Sequence, residues 1–398
     1  MNFEDITRPE VIQFIQEHLG DEPASLMLAA HKYPQMSMQF ISTQIASRQK
    51  GKSKVPEWYA NAEVIFPHRE NLEQASSQIT AIFKARYLKG SSLVDLTGGT
   101  GIDTYYLSKN FETTTYVEPN EELCKLATHN FAKLDAPITV KNETAEQFLD
   151  ANTQVVDWIF IDPSRRDDSK SRVYALEDCA PNVLEIKNTM LKYAKNALIK
   201  ASPMLDIKKA LSQLSGCYRV QVVAVDDEVK ELLFYLRSDF TDEATIEAWN
   251  ISESKEDAKF SFLYSKEVEA IAEISDPLSY LYEPNSALMK AGPYRLLSQS
   301  FGLKKLHQNT HLYTSNEKLS AFPGRAFKIE EAFKPSKKEI RKRFPEGKVN
   351  VVVRNYPMGA NEIKQKFRLK DGGEGFLFFT TLQDGSLKAL KCSRLDLV

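Results

Sequence analysis

Between Ser92 and Ser202 the chain repeats one arrangement, in which a short apolar run is followed by a helical stretch and then by another apolar run. The runs "SLVDLT", "TTTYVE", "ITVKN", "VVDWIFID" and "NALIKAS" read as buried strands, and the stretches between them open near Ile102, Asn120, Thr144, Val173 and Met204. Strands alternating with helices in this order predict a parallel sheet covered on both faces. The block ends differently. "YRVQVVAVDDEVKELLFYLRS" is two strand-like runs joined by a short acidic turn, which predicts a terminal hairpin that adds one antiparallel strand.

The flanks differ from this block. "TRPEVIQFIQEHL" places Thr7 and Glu10 at capping-box spacing and aligns Val11, Ile12, Phe14, Ile15 and Leu19 on one face; "DEPASLMLAAHKY" opens a second helix at Asp21 and Pro23. "RQKGKSKVPEWY" is polar, glycine-containing and proline-broken, so a loop or linker is expected there. "NLEQASSQITAIFKARYL" then leads into the first strand. Past Phe240 the pattern is that of small α+β modules, the last starting near "FPGRAF" and running through "KVNVVVRNY", "GANEIKQKFRL", "GFLFFTTL" and "SLKALKCSRL". The expected division is a helical region over 1–74, the alternating domain over 75–240, a small α+β domain over 241–322 with a ferredoxin-like arrangement as candidate, and a last domain over 323–398.

No apolar stretch reaches the roughly 20 residues of a bilayer span, and "MNFEDITRPEVIQ" lacks the basic-then-apolar order of a secretory signal, so a cytoplasmic protein is expected. Cys124, Cys179, Cys217 and Cys392 lie too far apart to suggest a zinc site or a disulfide framework. No metal is expected. The net charge of -2 hides an asymmetry: from Arg325 onward, 17 Lys and Arg stand against 9 Asp and Glu, an excess of 8. Such an excess suits a polyanion partner, with Lys337, Lys338, Arg341, Lys342 and Arg343 as candidate contacts, although "PSKKEIRKRF" reads equally as one solvated helix face.

Chemistry concentrates at the predicted strand ends. "VDLTGGTGID" passes from strand to helix, so Thr97, Gly98, Gly99 and Gly101 would let a ligand approach the backbone at a helix N-terminus. A dinucleotide site wants a third glycine, and here Asp103 follows instead. Asp95 would repel a pyrophosphate but could accept from the ammonium of an amino-acid moiety, which S-adenosylmethionine carries. Glu118, ending the second strand in "YVEPN", can accept from both hydroxyls of a ribose. Glu143 and Ala145, after the third strand, are candidates to border an adenine.

Residues 75 to 240 resemble class I S-adenosylmethionine-dependent methyltransferases, a Rossmann-like α/β class: "DLTGGTG" is similar to their first motif, "VEPN" to the second, and "IDPSRR" to the fourth. The whole chain is similar to bacterial methyltransferase-like proteins with a C-terminal THUMP-like domain, on "PHRENLEQASSQITAIFKA", "KASPMLDI" and "NYPMGANEIKQKFRLKDGGEGFLFFTT". The resemblance implies S-adenosylmethionine as cofactor and RNA, tRNA or rRNA, as partner and substrate. In amino-methylating members, the acid and the following proline accept from an exocyclic amine and an aromatic stacks on the base. Asp162 and Pro163 keep the acceptors; Ser164, Arg165 and Arg166 replace the aromatic, and Arg165 could stack on a base or grip a phosphate. The same "DP-x-R" order resembles RNA uracil C5-methyltransferases, but their cysteine nucleophile would fall on Ala201, which disfavours that covalent route. A small-molecule or protein methyltransferase, and an inactive protein that keeps the cofactor site, remain alternatives.

Overall fold

The computed structural model describes residues 7–151, 154–165 and 175–396. The chain forms two compact units, Met1–Arg219 with Glu231–Asp242, and Val220–Lys230 with Glu243–Val398.

The first unit opens with helices Pro9–Glu17, Pro23–Leu28 and Met38–Lys54, packed through Val11, Phe14, Ile15, Leu26, Ile41 and Ile45. The segment expected to be a loop is helical: Met38–Lys54 runs through "RQKGKSK", and Pro56–Ala60 adds another turn. Tertiary contacts override the breakers there. Arg48 is buried and donates to the carbonyls of Asn61, Ala62 and Val64, while Gly51 packs so closely that a Cβ would lie 2.3 Å from the Phe66 ring. The next predicted helix is divided into Arg69–Gln74 and Gln78–Ala85.

Strands β1 (Gly90–Asp95), β2 (Phe111–Val117), β3 (Ile138–Lys141), β4 (Val156–Ile161), β5 (Ser164–Arg165), β6 (Cys179–Ala180), β7 (Ala194–Ala201), β8 (Cys217–Val225) and β9 (Glu228–Leu236) follow. Within the unit the main sheet runs β3–β2–β1–β4–β7–β9. β1, β2, β3, β4 and β7 are parallel, and β9 is antiparallel to β7, as the alternating block and its terminal hairpin predict. The β8–β9 turn is Asp226–Asp227, both at positive φ, as a two-residue hairpin turn demands. Helices Ile102–Ser108, Glu121–Lys133, Ala145–Ala151, Val183–Tyr193 and Ile207–Gln213 alternate with the strands; the start expected near Val173 lies outside the described residues. β1 and β4 become buried toward their carboxyl ends, so the acids at their tips sit at the edge of the core.

In the second unit β10 (Thr245–Ile251) pairs antiparallel with β11 (Ala258–Phe262). Strands β12 (Tyr280–Pro284), β13 (Lys304–His307), β14 (Thr310–Ser315), β15 (Gly324–Phe333), β16 (Asn350–Arg354), β17 (Gly375–Thr381) and β18 (Leu387–Leu395) form a sheet in the order β13–β14–β12–β15–β18–β17–β16. Phe327, Phe378 and Leu390 centre one core beneath it; Ile340, Ile363 and Phe379 centre another under helices Lys337–Arg343 and Ala360–Phe367. Among the described residues, no helix is long and apolar enough to cross a membrane.

Candidate functional site

A cleft of about 780 Å³ opens at the carboxyl ends of β1, β2 and β4, where a doubly wound sheet places its ligand. The loop after β1 forms its floor. Gly101, at φ 80°, ends the loop as N-cap of the next helix, and Phe131 closes over it. A Cβ on Gly98 would lie 2.1 Å from the Tyr116 ring, so that residue is glycine for packing. Gly99 differs: at φ 53° its missing Cβ would meet only the Thr97 carbonyl, 3.7 Å away, and the space above it is open. Tyr116 donates its hydroxyl to the Gly99 carbonyl at 2.7 Å, and Gly99 N–H donates to Glu118 Oε2 at 2.9 Å.

Glu118 therefore ties the second strand to the first loop. Its Oε1 accepts from Asn120 N–H at 3.0 Å, and each oxygen retains a lone pair for a hydroxyl donor. Thr144 and Ala145 line the wall beyond it, whereas Glu143 is half-buried and outside the lining. Asp95 is completely buried: Thr97 N–H and Thr104 Oγ1 donate to its two oxygens at 3.0 and 2.5 Å. Burial pushes its carboxyl up to about 7, against those two hydrogen bonds. Asp95 thus shapes the loop from beneath while Thr97 turns its Oγ1 to accept from Asp162 N–H at 2.6 Å, joining the first and fourth predicted motifs.

Asp162 and Ser164 line the same cleft. Ser164 and Arg165 pair with Ala180 and Cys179 in the small β5–β6 ribbon, and the Arg165 side chain lies outside the described residues. Lys200, from β7, donates to Asp162 Oδ2 at 2.5 Å and stands 3.6 Å from Asp103 Oδ2. Asp103 in turn accepts from Ser76 and pairs at 3.2 Å with Lys84, which also donates to both oxygens of Glu231 at 2.7 and 2.8 Å. Five ionisable groups thus alternate in sign from the interior to the cleft. Burial alone would drive the Lys200 ammonium down; the carboxylates of Asp162, Asp103 and Glu231 outweigh it and hold the group above the ordinary lysine value. Burial likewise works against the charge on Asp103, but Lys84 and Lys200 pull that carboxyl below its usual range.

Sequence reading missed Lys200, Lys84 and Glu231, and it missed the contribution of Asn71, Gln74 and Ser76, which bring the N-terminal segment to the cleft wall. Lys200 carried a signal that could have been read. β4 and β7 pair Ile161 with Ile199, so the next residues on each strand, Asp162 and Lys200, follow in the same register.

The lining tests what the cleft can hold. Asp95, Asp103, Glu118, Glu146 and Asp162 contribute to it, and among the described residues no Lys or Arg does. Such a set of acceptors repels a pyrophosphate and fits a phosphate-free ligand bearing cationic groups and a ribose. Fold and cleft together define a Rossmann-like sheet of the methyltransferase type with an acid-lined site at its strand ends.

Comparison with known proteins carries this further. A "putative methyltransferase" from Porphyromonas gingivalis W83 is 30% identical, with 100% of each chain covered and a TM-score of 0.89. The chain belongs to its family, the class I S-adenosylmethionine-dependent methyltransferase-like proteins with a C-terminal THUMP-like domain. Residues 280–323 match a ferredoxin-like domain family, and residues 324–394 match a family described as THUMP domain-like. Partial likenesses include M. capricolum TrmK in complex with S-adenosylhomocysteine, at 14% identity over 46% of this chain and 73% of that one, TM-score 0.32. An rRNA methylase from Streptococcus thermophilus matches at 15% identity over 40% and 94%, TM-score 0.30. No curated protein matches the sequence.

Proposed function

We propose that this chain transfers a methyl group from S-adenosylmethionine to an amine of a base in structured RNA, tRNA or rRNA. The observation that carries the reading is the state of Asp162: at the wall of an acid-lined cleft, with Oδ2 held by Lys200 and Oδ1 accepting from no described residue. A carboxylate fixed in this way is an acceptor for a donor N–H, beside the carbonyl of Pro163. The THUMP domain-like match and the basic excess after Arg325 support RNA as the bearer of that amine.

In this reading Glu118 takes the ribose hydroxyls, the backbone of Gly98 and Gly99 leaves room for the ligand, and Thr144 and Ala145 border the adenine. Asp95, Thr97 and Gly101 hold the loop in shape around the amino-acid end. The bound cofactor supplies an electrophilic methyl on a sulfonium. Asp162 and Pro163 align the incoming amine, so positioning and exclusion of water provide the catalysis. Arg165 grips the base or its phosphate, while Lys337, Lys338, Arg341 and Lys342 meet the RNA backbone. The assignment extends to domains over 1–74, 75–240, 241–322 and 323–398 and to a cytoplasmic location.

Ser164 and Arg165 stand where an aromatic would complete the amine-binding device, and this substitution favours a second reading, a protein that binds cofactor and RNA without transfer. One experiment separates them. Incubation with methyl-labelled S-adenosylmethionine and total cellular RNA, followed by nucleoside analysis, should show label in an N-methylated base. Cofactor binding without label in RNA supports the second reading, and label in protein or small molecules overturns both.

A further inference from the structure

Lys200 meets Asp162 from behind the cleft. Its strand, β7, lies between parallel β4, where Ile199 pairs with Ile161, and antiparallel β9, where Lys200 itself pairs with buried Leu233. The Lys200 side chain is 11% exposed and stays out of the cleft lining, to which Asp162 belongs. The ammonium is anchored on its far side as well. It stands 3.6 Å from Asp103 Oδ2, and Asp103 is held in turn by Ser76 and Lys84. The main chain of Asp162 is fixed independently, since its N–H donates to Thr97 Oγ1 at 2.6 Å. With Oδ2 turned inward to Lys200, Oδ1 is the carboxylate atom left for a ligand.

An ammonium only donates hydrogen bonds, and a carboxylate only accepts them. Either carboxylate oxygen can therefore meet Lys200 while the other still accepts from the cleft. A carboxamide lacks this symmetry. It has one accepting oxygen and one donating NH2, and the charge-assisted contact with the ammonium is the stronger claim on that oxygen. An amide at position 162 would give its oxygen to Lys200 and turn its NH2 outward, donor against the donors of an incoming amine. Two facing donors leave both groups unsatisfied, which costs more than a missing acceptor.

We propose that Lys200 is a positioning residue for methyl transfer: it fixes which atom of residue 162 meets the amine and makes a carboxylate, in place of a carboxamide, obligatory there. The role presupposes an amine as methyl acceptor, the reading given above, and adds what decides the side chain that can receive it. It also has a consequence that simple structural support lacks. Once the lysine is gone, a carboxamide is free to turn its oxygen to the cleft and serve in the carboxylate's place.

The test measures initial rates of label transfer from saturating methyl-labelled S-adenosylmethionine to total cellular RNA, with calorimetric affinity for S-adenosylhomocysteine and thermal unfolding recorded for each full-length variant. Asp162→Asn should lower the rate about 100-fold or more while affinity for S-adenosylhomocysteine stays within a few-fold. The double variant Asp162→Asn with Lys200→Met removes one charge of each sign, and it should transfer about ten-fold faster than Asp162→Asn alone. An Asp162→Asn protein near the wild-type rate, or a folded double variant no faster than the single one, would overturn the role while leaving RNA methylation in place. If the double variant does not fold, a crystal structure of Asp162→Asn decides. Lys200 Nζ within hydrogen-bond distance of the Asn side chain identifies the touching atom as oxygen, because two donors do not approach, and supports the role. A lysine swung onto Asp103, leaving the amide oxygen free to face the cleft, overturns it. Wild-type protein that transfers no label to RNA removes the amine-methylation reading itself, and the role of Lys200 with it.

Discussion

Lys200 Nζ lies 2.5 Å from Asp162 Oδ2, across two parallel strands and at the end of a buried chain of alternating charges. The contact gives the fourth-motif acid a fixed direction. Its consequences separate into stability and chemistry, because Lys200 is nearly buried while the Asp162 side chain is 35% exposed.

Replacing Lys200 with Met should destabilise the first unit by about 3 kcal/mol, since it removes the cation paired with Asp162 and leaves buried Asp103 with Lys84 alone. Urea unfolding of wild-type and variant protein measures this. A loss below about 1 kcal/mol would mean that solvent already neutralises the pair.

Asp162→Ala should behave in the opposite way. Lys200 keeps Asp103 as a neighbour, so the fold tolerates the change, yet methyl transfer is abolished while affinity for S-adenosylmethionine stays within a few-fold. Titration calorimetry with a transfer assay reads both quantities. Full activity in this variant would make the motif a structural turn.

Much of this site was legible in the sequence, for a physical reason. Asp95, Glu118 and Asp162 each follow a buried strand of a repeating unit, and the topology of such sheets brings successive strand ends together. Lys200 was not seen, because 38 residues separate it from Asp162 and its meaning depends on strand register. The helix through Arg48 and Gly51 was misjudged for a related reason: Gly51 and Pro56 are local breakers, and the carbonyls and ring that overrule them belong to residues 59 to 66.

The glycines of the first loop should respond differently to substitution. Gly98→Ala drives a Cβ into Tyr116 and should cost about 1–3 kcal/mol of stability. Gly99→Val meets no neighbour but is strained at its left-handed φ, so beside a loss of stability it should weaken S-adenosylmethionine and S-adenosylhomocysteine, as should Asp95→Ala. Unchanged calorimetric affinity in both cofactor-site variants would remove this cleft as the site, and tighter binding of NAD would reverse the class of ligand.

Asp95 makes stability depend on pH. Its carboxyl is raised by burial from 3.8 to about 7, so between those values the folded protein holds a proton that the unfolded chain has released. The contribution is fully present below 3.8 and is lost as pH rises through 7. Relative to Asp95→Asn, which cannot titrate, the wild-type protein should lose about 3 kcal/mol between pH 5 and pH 8. Urea unfolding at intermediate pH values gives the difference, and a flat or rising difference would contradict the buried, proton-holding state.

The basic helix Lys337–Arg343 divides into two kinds of residue. Arg343 pairs with Glu331 and Glu339 and lies 4.0 Å from the centre of the Phe333 ring, so its charge is turned toward its own unit. The acids beside it hold its guanidinium above the ordinary arginine value, against a small effect of burial. Lys337, Lys338 and Lys342 are exposed, where a phosphate can reach them. Arg343→Ala should therefore lower the melting temperature and leave the salt dependence of RNA binding as it was. Replacing Lys337, Lys338 and Lys342 with Gln should leave the melting temperature unchanged and reduce the slope of log affinity against log salt by about one for each phosphate deprived of its cation. Filter binding across a salt series, beside thermal unfolding, distinguishes the two, and an Arg343 variant with normal melting but a reduced slope would put that residue among those that hold the RNA.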